Sequence, residues 1–114
     1  MSKRIMVVED QEDNRQILRN LLGSIGYDLI EALDSEAALT ALASQRLDLI
    51  LMDIQLPGID GYEVTRRIKT DPALRAIPIM AITSYALSGD DAKAIEAGCD
   101  AYVTKRFSPR QALP

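Results

Sequence analysis

The chain has 114 residues, 47% of them hydrophobic and 26% charged, with a formal net charge of −4, which predicts one globular domain (1–114) with one core and no room for a separate output module. An acidic balance without a basic run argues against nucleic acid as a direct partner, and a single cysteine, Cys99, with no histidine argues against an internal disulfide or a zinc site. The apolar stretch Ile5 to Val8 behind Lys3-Arg4 is too short for a signal-peptide core, and no segment approaches the roughly 20 apolar residues of a membrane span, so a soluble cytoplasmic protein is expected.

Ile5-Met6-Val7-Val8 predicts a first strand that stops at Glu9-Asp10. A helix over Asn14 to Ile25 follows. Ile17, Leu18, Leu21, Leu22 and Ile25 form one apolar stripe, Asp13 reads as the N-cap with Gln16 at N3, and Gly26 as the glycine past the end. Asp28 to Ala32 is a weaker strand, and residues 35–45 a helix with Ala38 and Leu42 inward. Leu49 to Met52 is a third strand ending at Asp53, and Pro57-Gly58 suits a type II turn into a helix over 60–70 with Val64 and Ile68 inward. Ile79 to Ile82 stops at Thr83-Ser84, a helix over 88–97 ends at Gly98, and Ala101 to Thr104 is the last strand. Runs that are apolar on successive residues belong to parallel strands covered on both faces. Right-handed crossovers wind this order into an α/β doubly wound parallel sheet, with ligands beyond the carboxyl ends of the strands.

That placement gathers the chemistry. Glu9 and Asp10 follow strand 1, Asp53 ends strand 3, Thr83 and Ser84 end strand 4, and Lys105 ends strand 5. Three carboxylates at one edge repel one another, and a hard divalent cation offsets that cost. Mg²⁺ takes oxygen ligands and keeps waters. A cation, a hydroxyl and an ammonium around one carboxylate form a clamp for a phosphoryl group. Asp53 is then the nucleophile giving an acyl phosphate, Lys105 neutralises developing charge, and Thr83 donates a hydrogen bond. Met52 and Met80 read as core, Cys99 as a small buried hydrophobe, and Asp13 as a cap rather than a ligand.

The Glu9-Asp10 pair, Asp53 within Leu-Met-Asp-Ile-Gln-Leu-Pro-Gly, Thr83, Tyr102 and Lys105 closely resemble receiver domains of two-component response regulators, in register from residue 4 to about 105. The chain is similar to stand-alone chemotaxis-type (CheY-like) and cell-cycle-type receivers. The resemblance implies a five-stranded flavodoxin-like sheet of order 2-1-3-4-5. It implies Mg²⁺-dependent phosphorylation of Asp53 from a phosphohistidine on a histidine kinase or phosphotransfer protein, and a downstream protein target. Asp10, Asp53 and the Gln55 backbone carbonyl would bind Mg²⁺, with Glu9 acting through water. Thr83 and Tyr102 would form the switch pair. Tyr85 would shield the site entrance or touch a partner, and the Gln55 side chain could influence the dephosphorylating water. The domain would be a phosphoacceptor with slow self-catalysed turnover rather than an enzyme.

Two departures from the family carry expectations. Receivers place proline after the lysine, usually through a cis bond; here it is Arg106. A non-proline cis bond costs about 2.5–4 kcal/mol, which predicts a Lys105–Arg106 bond that is trans in at least part of the population, with the ammonium moved away from Asp53. Ser108 to Pro114 could form roughly 10 Å of helix at most, so the fifth helix is expected to be truncated or absent. The apolar face so exposed predicts a homodimer, or a chain tail exchanged between protomers; the alternative is a shortened end that leaves the domain marginally stable. Rival functions are a degenerate receiver acting as a binding module or phosphate sink, a haloacid-type phosphatase, and a flavodoxin relative. The phosphatase reading lacks its usual acid, since Gln55 stands two residues after Asp53, and the acidic loop Glu9 to Asp13 repels a flavin phosphate.

Overall fold

Alternate side chains of a strand point to opposite faces, so a run of successive apolar residues can feed two cores at once. The structure, a computed structural model, describes residues 3–44, 46–54, 61–83 and 90–104. Its strands are β1 (Arg4–Val8), β2 (Asp28–Ala32), β3 (Leu49–Asp53), β4 (Ile79–Thr83) and β5 (Ala101–Thr104). All pairings are parallel, as the apolar runs predict, and the order β2-β1-β3-β4-β5 is the one that the resemblance to receiver domains implies. Helices α1 (Glu12–Gly23), α2 (Ser35–Ser44), α3 (Gly61–Thr70) and α4 (Asp90–Ala97) connect them.

The two cores separate by residue parity. Met6 and Val8 of β1, Ile50 and Met52 of β3, and Ile79 and Ala81 of β4 pack with Ala38 and Leu42 of α2 and Val64 and Ile68 of α3. Ile5, Val7, Leu51 and Ile82 face the other way and meet Leu18 of α1. Fully burying one such side chain is worth about 1.5–3 kcal/mol. Met52 and Cys99 lie in the first core; Met80 is half-buried against the second.

Helix α1 departs from expectation in two ways. It begins at Glu12, with Gln11 as its extended N-cap, so Asp13 is an exposed residue of the first turn and not the cap. Glu12 and Asp13 there complement the positive end of the helix dipole, and Arg15 N–H already reaches the Gln11 carbonyl (3.1 Å). The helix closes at Gly23, with Ser24 as C-cap, and Gly26 follows in the left-handed region at φ 101°. The expected five-residue stripe is too wide for the sheet to cover. Leu18 is buried and Leu22 partly so, whereas Leu21 and Ile25 are 52% and 65% exposed. Arg15 takes the inward position instead.

The other helices lie where expected, with α2 starting behind Asp34, whose carboxylate accepts the Ala37 N–H (2.8 Å). Gln45, the Pro57-Gly58 turn, residues 88–89 and the whole stretch 105–114 lie outside the described residues.

Candidate functional site

Parallel pairing sends every strand's carboxyl end to one edge. Val8 is in register with Met52, and Asp53 with Ile82, so Asp53 sits at the centre of that edge with Glu9-Asp10 alongside. One carboxylate oxygen from each of Glu9, Asp10 and Asp53 lies within 4.8 Å of the others. Glu9 and Asp53 are each 2% exposed, while Asp10 faces solvent. At that spacing two unit charges repel by about 3–4 kcal/mol at an effective dielectric near 20. Buried charges are ordinarily paired or bound to metal. Octahedral Mg–O bonds of about 2.0–2.1 Å place ligand oxygens roughly 3–4 Å apart. The three carboxylates therefore suit a small, hard divalent cation.

The loop carrying Glu9 and Asp10 is held at several points. The Glu9 N–H extends the β1–β2 ladder to the Ala32 carbonyl (3.0 Å). Its carboxylate accepts the Gln11 N–H (3.0 Å), and its carbonyl accepts Nη1 of the buried Arg15 (2.9 Å). Arg15 also contacts Glu12 and, at 3.4 Å, Glu31. Glu31 is gripped by Arg19 at 2.8 and 2.7 Å. The Arg19 hydrogen bonds hold the Glu31 carboxyl below its ordinary value, outweighing the opposite effect of burial.

Asp53 is braced from the other side. Ile54 N–H donates to the Ile82 carbonyl and Gly61 N–H to the Ile54 carbonyl, both at 3.0 Å. The first residue of α3 thus lies directly on the end of β3. A Cβ at Gly61 would stand 2.4 Å from the Asp53 carbonyl oxygen and 2.8 Å from the Ile54 Cα. Thr65, fully buried, returns its hydroxyl to the Gly61 carbonyl (2.8 Å) and accepts a contact from the Cys99 thiol (3.8 Å).

Glu9, Asp10 and Asp53 are thus brought together. Thr83 ends β4 one residue beyond the Ile82 that pairs with Asp53, and is in register with Thr104; the position of its hydroxyl lies outside what is described. Tyr102 pairs with Ala81 and is half-buried against the α2–α3 core. Lys105, Arg106, Gln55 and Tyr85 lie outside the described residues. Asp13 does not join the acidic group. Sequence reasoning missed Arg15 and Gly61. Arg15 stands three and seven residues before Leu18 and Leu22, spacing that marks one helix face. Gly61 carried no signal beyond being a glycine at a helix start.

The model of the response regulator receiver domain matches residues 5–113. The polar-differentiation response regulator DivK of Brucella anthropi is 44% identical over 108 residues, covering 95% of this chain and 88% of that protein. Among solved structures, the receiver domain of a sensor histidine kinase from Pseudomonas aeruginosa, with a magnesium ion in its active-site cleft, superposes with a TM-score of 0.86 at 36% identity, over 98% of this chain and 92% of that one. The manganese-bound form of the response regulator Rcp1 gives 0.85 at 30% identity, over 97% and 91%. A family match across nearly the whole chain, on a sheet of this order, leaves one assignment: the chain belongs to the receiver domains of response regulators.

Proposed function

We propose that Asp53 is the phosphoacceptor of a Mg²⁺-dependent phosphoryl transfer. The observation that carries this reading is the convergence of Glu9, Asp10 and Asp53 carboxylate oxygens within 4.8 Å at the strand ends. Asp10 and Asp53 would hold the cation together with the Gln55 backbone carbonyl, and Glu9 would act through water. The cation, when bound by these residues, would supply positive charge against the phosphoryl oxygens. An Asp53 carboxylate oxygen forms a new bond to phosphorus as the phosphorus–nitrogen bond of a phosphohistidine breaks, and the imidazole leaves with the bonding pair and takes up a proton. Lys105 and Thr83 neutralise and orient the phosphoryl group, and Thr83 with Tyr102 passes its presence to a binding surface. The acyl phosphate carries about −1.5 to −2 charges where the carboxylate carried about −1.

The donor in this reading is a histidine kinase or phosphotransfer protein, the reader is a protein target, and turnover beyond slow self-dephosphorylation is not the chain's role. The compartment we assign is the cytoplasm; among the described residues no helix is long and apolar enough to cross a membrane. A homodimer is proposed through the face that α1 only partly covers, where Ile5, Leu22, Tyr27, Leu49 and Met80 line a groove of about 420 Å³. Light scattering at high micromolar concentration tests it, and a monomer there overturns it.

Intact mass after incubation with Mg²⁺ and acetyl phosphate tests the main reading. Wild type gains one phosphoryl group and Asp53→Asn gains none. Equal modification of both proteins, or none of wild type with Mg²⁺ bound, refutes it.

A further inference from the structure

We propose that Arg15 is a positioning residue of the cation site, setting the plane of the Glu9–Asp10 peptide through its hydrogen bond to the Glu9 carbonyl. The inference rests on the reading of Glu9, Asp10 and Asp53 as a Mg²⁺ site.

Arg15 is buried, 9% exposed, on the face of α1 that otherwise carries Leu18 and Leu22. A buried guanidinium is costly unless its donors are used. Here all three nitrogens are engaged, by three parts of the chain. Nη2 meets Glu12 in the first turn of α1, Nε meets Glu31 on β2 at 3.4 Å, and Nη1 donates to the Glu9 carbonyl at 2.9 Å. Arg19 closes the group, reaching Glu31 at 2.7 Å and Glu12 at 3.3 Å. Two arginines and two glutamates then alternate in a ring with no net charge.

That neutrality separates two possible roles. A cation beside a metal site weakens metal binding by repulsion, and here Glu12 and Glu31 cancel the Arg15 charge. What remains is directional. The carbonyl that Nη1 holds belongs to the same planar peptide as the Asp10 nitrogen, so the bond fixes where the Asp10 side chain leaves the backbone. The Glu9 N–H on Ala32 and the Glu9 carboxylate on the Gln11 N–H fix the two ends of that short segment. Arg15 supplies the constraint between them. A planar fork can serve three acceptors at once; an ammonium, with one nitrogen, cannot span them.

The two roles predict opposite signs. Without Arg15, pure electrostatics makes Mg²⁺ bind more tightly, whereas loss of positioning makes it bind more weakly. Outer-shell partners of metal ligands are commonly worth tenfold or more in affinity. The experiment is a Mg²⁺ titration of wild type, Arg15→Met, Arg15→Lys and Arg19→Gln, followed by the amide resonances of Asp10 and Gln11, with thermal midpoints recorded in parallel. Expected is about tenfold weaker binding in Arg15→Met, weaker binding in Arg15→Lys despite its retained charge, and less than a twofold change in Arg19→Gln. Unchanged or tighter binding in Arg15→Met overturns the inference while the site reading stands. So does a loss in Arg19→Gln equal to that in Arg15→Met. If Arg15→Met does not fold, Arg15→Lys decides, and wild-type affinity there overturns the proposal. A wild type whose Asp10 and Gln11 amides ignore Mg²⁺ overturns the site reading and the inference together.

Discussion

Replacing Gly61 by alanine puts a methyl carbon into the joint between α3 and the end of β3. The added Cβ meets the Asp53 carbonyl oxygen at 2.4 Å, the Ile54 Cα at 2.8 Å and the Asp53 carbonyl carbon at 3.1 Å. Comfortable carbon contacts begin near 3.5 Å, so something must retreat by several tenths of an ångström to about 1 Å. All three neighbours are backbone, and no side-chain rotation relieves them. Overpacking of this kind costs about 1–3 kcal/mol, and backbone on every side places it near the upper end. Alanine recovers about 1 kcal/mol of helix propensity. The net loss is then about 2 kcal/mol, which at an m-value near 2 kcal/mol/M lowers the urea midpoint by about 1 M. Mg²⁺ affinity falls as well, because the strand end that yields carries Asp53. Gly23, at the end of α1, is the control. A Cβ there meets nothing within 4 Å, so Gly23→Ala gains about 0.5–1 kcal/mol. Urea denaturation of the two variants reads the contrast. A Gly61→Ala protein as stable as wild type refutes the close approach of α3 to Asp53.

Three further outcomes follow from the packing and the charges. Leu18→Ala costs about 2–4 kcal/mol in chemical denaturation, while Leu21→Ala, at a position 52% exposed, costs under about 1 kcal/mol; equal losses refute the assignment of the inner face of α1. Asp100 accepts the Ile79 N–H and the Lys69 ammonium, both at 2.9 Å, and although burial pushes its carboxyl up, these two partners hold it below the ordinary 3.8. A depressed carboxyl stabilises the fold above its unfolded pKa and loses that contribution as pH falls through the lower folded value. Asp100→Asn therefore costs under about 1 kcal/mol at pH 5–8, the difference from wild type shrinks below about pH 4, and a gap independent of pH down to 2 contradicts this. Burial pushes the Cys99 thiol above its ordinary value, against the Thr65 hydrogen bond. Alkylation at pH 8 is accordingly slow in the native protein and accelerates with unfolding in urea, and labelling at the rate of a free thiol contradicts the burial.

The strand ends were legible because each apolar run stops on a polar residue: Val8 before Glu9, Met52 before Asp53, Ile82 before Thr83. Parity then placed two cores on two faces, and parallel pairing placed the acids on one edge. Local chemistry was less informative at α1. Asp13 is a good capping residue in isolation, yet the helix start is set by the loop that Glu9 holds, through Gln11. The five-residue stripe looked uniformly apolar, but one sheet face covers only part of it. A charged residue, Arg15, enters that face because Glu31 of β2 meets it there beside the Glu9 carbonyl and Glu12, a long-range partner that no local window of sequence displays. Gly61 was illegible for a related reason. Its need for no side chain arises only when the chain returns from residue 61 onto the backbone of residue 53.

The most direct measurement locates the phosphoryl group itself. After incubation with Mg²⁺ and acetyl phosphate, borohydride reduction of the acyl phosphate followed by peptide mapping identifies the carboxylate that was modified. Reduction is expected at Asp53 alone, and is lost when Mg²⁺ is chelated. Modification at Asp10, Glu9 or any other carboxylate, or at Asp53 to the same extent without Mg²⁺, contradicts it.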